Sequence, residues 1–222
     1  MPLDSLTNGP FLGTTRNPYS YEKVEQVSRD VSTPWLSLDQ ILQQLNLFQD
    51  DSQADYLFGL ELATRMAIED YLGMSIFKIK YKVYYGVYNG MTGTQMSLDL
   101  PEVSQATGIV PGVVINEVAY YSGATPPVYT ILDPTAYYYD PTGNKVIVTG
   151  IPDSASQIMT SPIVCTYTTN ANPLAQYPVI QQAGLLLLTH LYNNRSNTFN
   201  GKLDEIPFGV AQLLRPYKPL VM

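Results

Sequence analysis

Between residues 53 and 72, Leu57, Leu60, Thr64, Ala67, Ile68 and Tyr71 recur at three- and four-residue spacing. That period lines one stripe of an α-helix, and Glu61, Arg65 and Glu69 fall largely off it. Ser52 with Asp55 three residues on predicts a capped start, and Gly73 a left-handed stop. Burying the larger apolar side chains contributes roughly 1.5–3 kcal/mol each, so the stripe must face a core. Upstream, Ser37 with Gln40 predicts a second capping box before Leu38, Ile41, Leu42 and Leu45, a helix near 37–46. Trp35 just before it reads as a staple or core residue. Pro178 opens a third helix near 179–195, with Ile180, Ala183, Leu187 and Leu191 on one stripe and Leu186 and His190 beside it. A short last helix is expected near 207–214.

After Gly73 the period changes to two. Phe77, Ile79, Tyr81, Val83, Tyr85 and Val87 alternate with Lys78, Lys80, Lys82 and Tyr84, which predicts a long strand with one buried face. The three lysines then share the other face, either as a solvated row that discourages edge pairing or as a basic row turned to DNA or a neighbouring subunit. Further strands are expected at 113–121, 128–132, 137–139, 145–149 and 163–168, divided by Ser122-Gly123, Asp133-Pro134, Asp140-Pro141-Thr142-Gly143 and Ile151-Pro152-Asp153. Residues 90–112 read as a meandering loop. Residues 1–33 carry breakers at Asn8-Gly9-Pro10 and Asn17-Pro18 and read as an extended arm, with a short helical hint at Tyr21–Val31. The expected class is α+β: a small helical bundle with an antiparallel β-sheet region inserted at about 76–168.

Composition narrows the function. Of 222 residues 45% are hydrophobic, enough for a substantial core. With net charge −7 and only 12 Lys and Arg, the chain lacks the clustered cations that wrap nucleic acid, although DNA could pass such a wall without being held. The longest aliphatic run, Leu185–Leu188, is far short of a membrane span, and no signal-peptide pattern opens the chain, so no membrane partner is expected. Charged residues make up only 14% while tyrosines number 18, a surface chemistry suited to extensive protein contacts.

Candidate chemistry is sparse. Cys165 and His190 are the single cysteine and histidine, which leaves no Cys/His metal site and no internal disulfide. Cys165 in a strand reads as a small buried hydrophobe, His190 as a helix-face residue near a favourable C-terminal dipole. The pairs Asp50-Asp51 and Asp204-Glu205 sit in polar turns, where adjacent acids are solvated. No phosphate loop, dinucleotide fingerprint, nucleophile elbow or metal-binding helix is present, so no enzyme and no cofactor is expected.

The order of elements carries a resemblance. Trp35-Leu36-Ser37-Leu38, a helix closing Tyr71-Leu72-Gly73, and an alternating strand from Ile76 are followed by Tyr137-Tyr138-Tyr139, Val164-Cys165-Thr166-Tyr167, Leu191-Tyr192-Asn193-Asn194-Arg195 and Ile206-Pro207-Phe208-Gly209-Val210. Over roughly residues 35–218 this resembles phage head–tail connector proteins (adaptor or head-completion proteins) of the gp6-like type. The arm and the 90–112 segment depart from that pattern. The resemblance implies a virion protein of the neck, assembled in the host cytoplasm, that forms a ring of about twelve copies under the portal through head-to-tail contacts. It would extend the DNA channel, pass double-stranded DNA without reading its sequence, and meet a tail or second head-completion protein. After the arm at 1–33, the resemblance implies a connector domain at 34–214 and a tail at 215–222 that docks on the portal. Leu214, Arg215, Tyr217 and Lys218 are the expected docking residues, with Leu220 and Val221 as an apolar anchor. The tyrosines and the strand-rich middle leave a carbohydrate- or receptor-binding virion module as the alternative.

Overall fold

The computed structural model describes residues 21–47, 51–86, 96–104, 111–149, 155–156, 158–194 and 208–218. It has the expected α+β class, with helices and antiparallel sheets segregated into two compact units. One unit comprises the chain up to Arg29 with Ile79–Asn170; the other comprises Asp30–Lys78 with the chain from Ala171 on.

The first is a sheet unit. Strands β1 (Tyr21–Arg29), β2 (Ile79–Tyr85), β3 (Met96–Asp99), β4 (Val113–Tyr121), β5 (Tyr129–Ile131), β6 (Tyr137–Asp140), β7 (Lys145–Val148) and β8 (Ile163–Thr169) form two antiparallel sheets. Their orders are β1-β2-β8-β4-β5 and β3-β7-β6. The alternation expected in β2 is real: Ile79, Tyr81, Val83 and Tyr85 are buried, while Lys80, Lys82 and Tyr84 are half-exposed. These buried residues join Val118, Ile163, Cys165 and Tyr167 of the larger sheet and Met96, Leu98, Val146 and Val148 of the smaller in a single core. Two facing apolar layers of this kind are the usual way a sheet buries one side.

Tyrosine hydroxyls satisfy backbone along the rim of this core. Tyr85 donates to the Asp99 carbonyl at 2.7 Å, and Tyr167 donates to the Glu102 carbonyl at 2.8 Å while accepting from the Glu102 N–H at 3.2 Å. Burial pushes both phenols far above their ordinary pKa, so they remain donors. Because Tyr167→Phe leaves two backbone groups of Glu102 without that partner, we expect it to cost about 1–3 kcal/mol, read as a lower urea midpoint at unchanged slope.

The second is a helical unit of α1 (Leu38–Leu45), α2 (Ala54–Leu72), α3 (Pro178–Asn193) and α4 (Phe208–Leu214). The Ser37 capping box is formed on both sides: the Gln40 N–H donates to Ser37 Oγ at 3.3 Å and the Ser37 N–H to Gln40 Oε1 at 2.9 Å. Gly73 ends α2 with φ of +68°. Leu36, Ile41, Leu57, Ile68, Ile180, Leu187 and Leu214 build the core. Trp35 lies in it, its Nε1–H donating to the Ala175 carbonyl at 2.8 Å. Its ring packs on Gly184, where a Cβ would stand 2.6 and 2.7 Å from two ring carbons.

Three expectations are corrected. Ser52 does not cap α2: residues Asp51–Gln53 form a 3-10 turn, so Gln53 takes the N-cap position and makes no side-chain cap bond. The helical hint at Tyr21–Val31 is instead β1, paired along its length with β2. Within the supposed 90–112 loop, Met96–Asp99 is a strand, because Met96 and Leu98 fill the core opposite β7. Glu61, Arg65 and Glu69, off the apolar stripe of α2, are nonetheless buried, at 3%, 1% and 4% exposed.

Candidate functional site

The buried charges follow from helix geometry. Positions 61, 65 and 69 are four apart and so share one face of α2. Sequence period places them outside the apolar stripe, yet backbone from two connecting segments lies against them. Trp35 and Leu36 donate their N–H groups to Glu61 Oε1 at 3.0 and 3.3 Å. Arg65 donates to the Thr33 carbonyl at 2.6 Å and the Asp30 carbonyl at 2.7 Å, and its guanidinium lies 4.8 Å over the Phe77 ring. Ile76 donates its N–H to Glu69 Oε1 at 2.7 Å. Burial raises the Glu61 carboxyl above its ordinary pKa, opposed by the two N–H bonds and the Arg65 charge. Such charges cost several kcal/mol each to bury and persist only when well bonded. The turn they hold is tight: the Asp30 carboxylate accepts from the N–H and hydroxyl groups of both Ser32 and Thr33. These bonds, the Thr33 hydroxyl first, hold Asp30 down at about 2.

At the C-terminal end the expected docking residues separate. Leu214 is fully buried in the helical core, so it anchors α4 and is not a surface contact. Arg215 and Lys218 are exposed and Tyr217 is half-buried. Tyr217 meets Tyr177 edge-on at 5.8 Å, and Lys218 lies 5.2 Å over the Tyr71 ring. The Tyr71 hydroxyl in turn donates to the Ala211 carbonyl at 3.3 Å. The turn Arg215–Tyr217 is therefore held against the helices through Tyr217 and the adjoining Lys218, with Arg215 exposed. Leu220 and Val221 lie outside the described residues.

Lysine placement also differs by position. Lys80 and Lys82 lie on the face of β2 opposite the core, whereas exposed Lys78 precedes the strand and belongs to the helical unit. Lys82 is flanked by aromatic rings, 5.7 Å from the Tyr84 centroid and 5.3 Å from that of Tyr129. Lys23 lies 5.1 Å over Tyr84 and pairs with Glu25. The hydroxyls of Tyr84 and Tyr129 donate to Glu25 and Glu117 at 2.9 and 2.8 Å. Burial, then the Glu25 bond, pushes Tyr84 up to about 12, while Lys23 and then Tyr84 lower Glu25. The result is a mixed tyrosine, carboxylate and lysine surface, not a bare cationic strip. Sequence spacing could show the lysine row but not the acids that strand pairing brings beside it.

Among the described residues no three His, Cys, Asp or Glu side chains gather to hold a metal ion. Cys165 is fully buried, and burial pushes its thiol up to about 12, leaving it protonated at neutral pH. His190 is half-buried on α3, its Nδ1 3.3 Å from Asn194 Nδ2. Among the described residues no helix is long and apolar enough to cross a membrane.

No protein-family model matches the chain, and no curated protein matches it in sequence. The fold does match solved structures. A chain in the neck of an empty gene transfer agent particle, computed with sixfold symmetry, superposes with a TM-score of 0.59 at 17% identity. A chain in the virion of a native gene transfer agent particle gives 0.55 at 15%, and one in the native neck, computed with twelvefold symmetry, gives 0.55 at 16%. Each alignment covers 90% of this chain and 97% of the other. At that coverage the likeness extends to both units and is not confined to one of them.

Proposed function

We propose that this protein is a structural subunit of the neck of a phage-like particle, a head–tail connector that assembles as a ring below the portal. The observation that carries this reading is the fold shared over 90% of the chain with chains of gene transfer agent particles, two of them from neck reconstructions. Sixfold and twelvefold symmetry in those reconstructions supports a ring of about twelve copies, closed by contacts between unlike faces of adjacent subunits. The net charge of −7 suits a channel through which double-stranded DNA slides without being held. Arg215, Tyr217 and Lys218, with Leu220 and Val221, are the portal-facing residues of this reading. A tail protein or second head-completion protein occupies the opposite side. The Lys80 and Lys82 face, where Lys82 is flanked by tyrosines and Glu25 lies opposite it, serves subunit contact better than phosphate contact.

The test is negative-stain electron microscopy of the purified chain, alone and mixed with portal assemblies from the same particle. Rings, or an added layer on the portal, are expected. A monomer that leaves the portal bare would overturn the reading and turn attention to glycan or receptor binding.

A further inference from the structure

The hydrogen bonds that Glu61, Arg65 and Glu69 make with Asp30, Thr33, Trp35, Leu36 and Ile76 all go to backbone of segments without helix or strand structure. These segments are specific ones. Asp30–Leu36 begins where the chain leaves the sheet unit, and Ile76–Phe77 lies just before it returns at Ile79. A third passage is tied to the second, because the Asn172 N–H donates to the Ile76 carbonyl at 2.9 Å. Backbone in such segments lacks the internal ladder of helix or sheet, so once buried it needs side-chain partners. One guanidinium with a fixed fork of donors can hold two carbonyls while its flat face covers a ring. Apolar packing alone would fix neither direction nor register.

We infer that Glu61, Arg65 and Glu69 form a clamp that fixes the paths of the connecting segments within the helical unit, with Arg65 as its central positioning residue. The clamp is local in its hydrogen bonds: it holds the backbone of Trp35, Leu36 and Ile76, whose side chains join the bundle core, while Ile41, Leu57, Ile180 and Leu187 belong to elements that it does not bond. Opening the clamp therefore releases 32–36 and 76 before the helices melt, as a separate low-energy opening of the native state. This inference stands apart from the neck reading, since it concerns the isolated chain.

Amide hydrogen exchange on the full-length chain tests it, comparing wild type with Arg65→Met and Arg65→Lys. In Arg65→Met the amides of Trp35, Leu36 and Ile76 should exchange at least roughly tenfold faster, with α3 amides from Thr189 to Tyr192, beyond the turn that Trp35 covers, unchanged within about twofold. Arg65→Lys, which keeps the charge but loses the two-carbonyl fork, should give an intermediate rise at the same amides. Uniform acceleration across both regions would make Arg65 an ordinary core residue and overturn the clamp, as would unchanged exchange at Trp35 and Leu36. If Arg65→Met does not fold, Arg65→Lys alone carries the comparison by the same criteria.

Discussion

Gly184→Ala is expected to destabilise the helical unit by about 1–3 kcal/mol, although helix propensity taken alone argues for a gain of about 1 kcal/mol. The steric term wins because the added methyl would stand 2.6 Å from a ring carbon of Trp35. That ring cannot simply turn away. It is 7% exposed and pinned by its Nε1–H bond to the Ala175 carbonyl. A second substitution isolates the cause: in a Trp35→Leu background, which opens space beside Gly184, Gly184→Ala should lose much of its cost or become stabilising. Urea unfolding of the four chains closes this double-mutant cycle. A more stable Gly184→Ala single variant would mean that the close packing of α3 on Trp35 is not what stabilises the unit.

Charge reversal at Arg215 and Lys218 together should abolish portal association while the fold stays intact. Both side chains are exposed, and within the subunit the reversal removes the stacking of Lys218 on Tyr71, worth about 0.5–1 kcal/mol at such a site. At a docked interface, by contrast, like charges brought together cost several kcal/mol, a loss in affinity of at least roughly a hundredfold. Deleting 215–222 would be a blunter test, because it also removes Tyr217 from Tyr177. The Arg215→Glu, Lys218→Glu chain should therefore form the same rings alone but fail to add a layer to the portal. Full decoration of the portal by this variant would sink the docking proposal and leave the ring proposal standing.

Much of the fold was legible because its signals are local. The Ser37 box, the Gly73 stop, Pro178 at the start of α3 and the alternation in β2 are each dictated by neighbours in sequence, and each appears in the structure. The misses share the opposite property. β1 is a mixed-charge edge strand whose partners lie at Ile79–Tyr85, far along the chain, and β3 is only four residues long. The polar row on α2 is the most instructive feature that periodicity leaves unread. Glu61, Arg65 and Glu69 look like a solvated face because periodicity sees side chains and not the carbonyl and N–H groups that arrive from Asp30, Thr33, Trp35 and Ile76. Leu214 failed as a surface residue for a related reason. Its place in the core depends on α4 returning to helices made much earlier.

That return has a consequence during synthesis. The helical unit is split in the chain: α1 and α2 leave the ribosome first, and α3 follows only after the whole stretch Ile79–Asn170 has been made. At typical elongation rates that interval lasts on the order of 5–20 s. Throughout it Leu57, Ile68 and Trp35 lack the surface formed by Ile180, Gly184 and Leu187. Nascent chains thus carry an uncovered apolar hairpin for seconds, and a fragment truncated before Ala171 can never cover it.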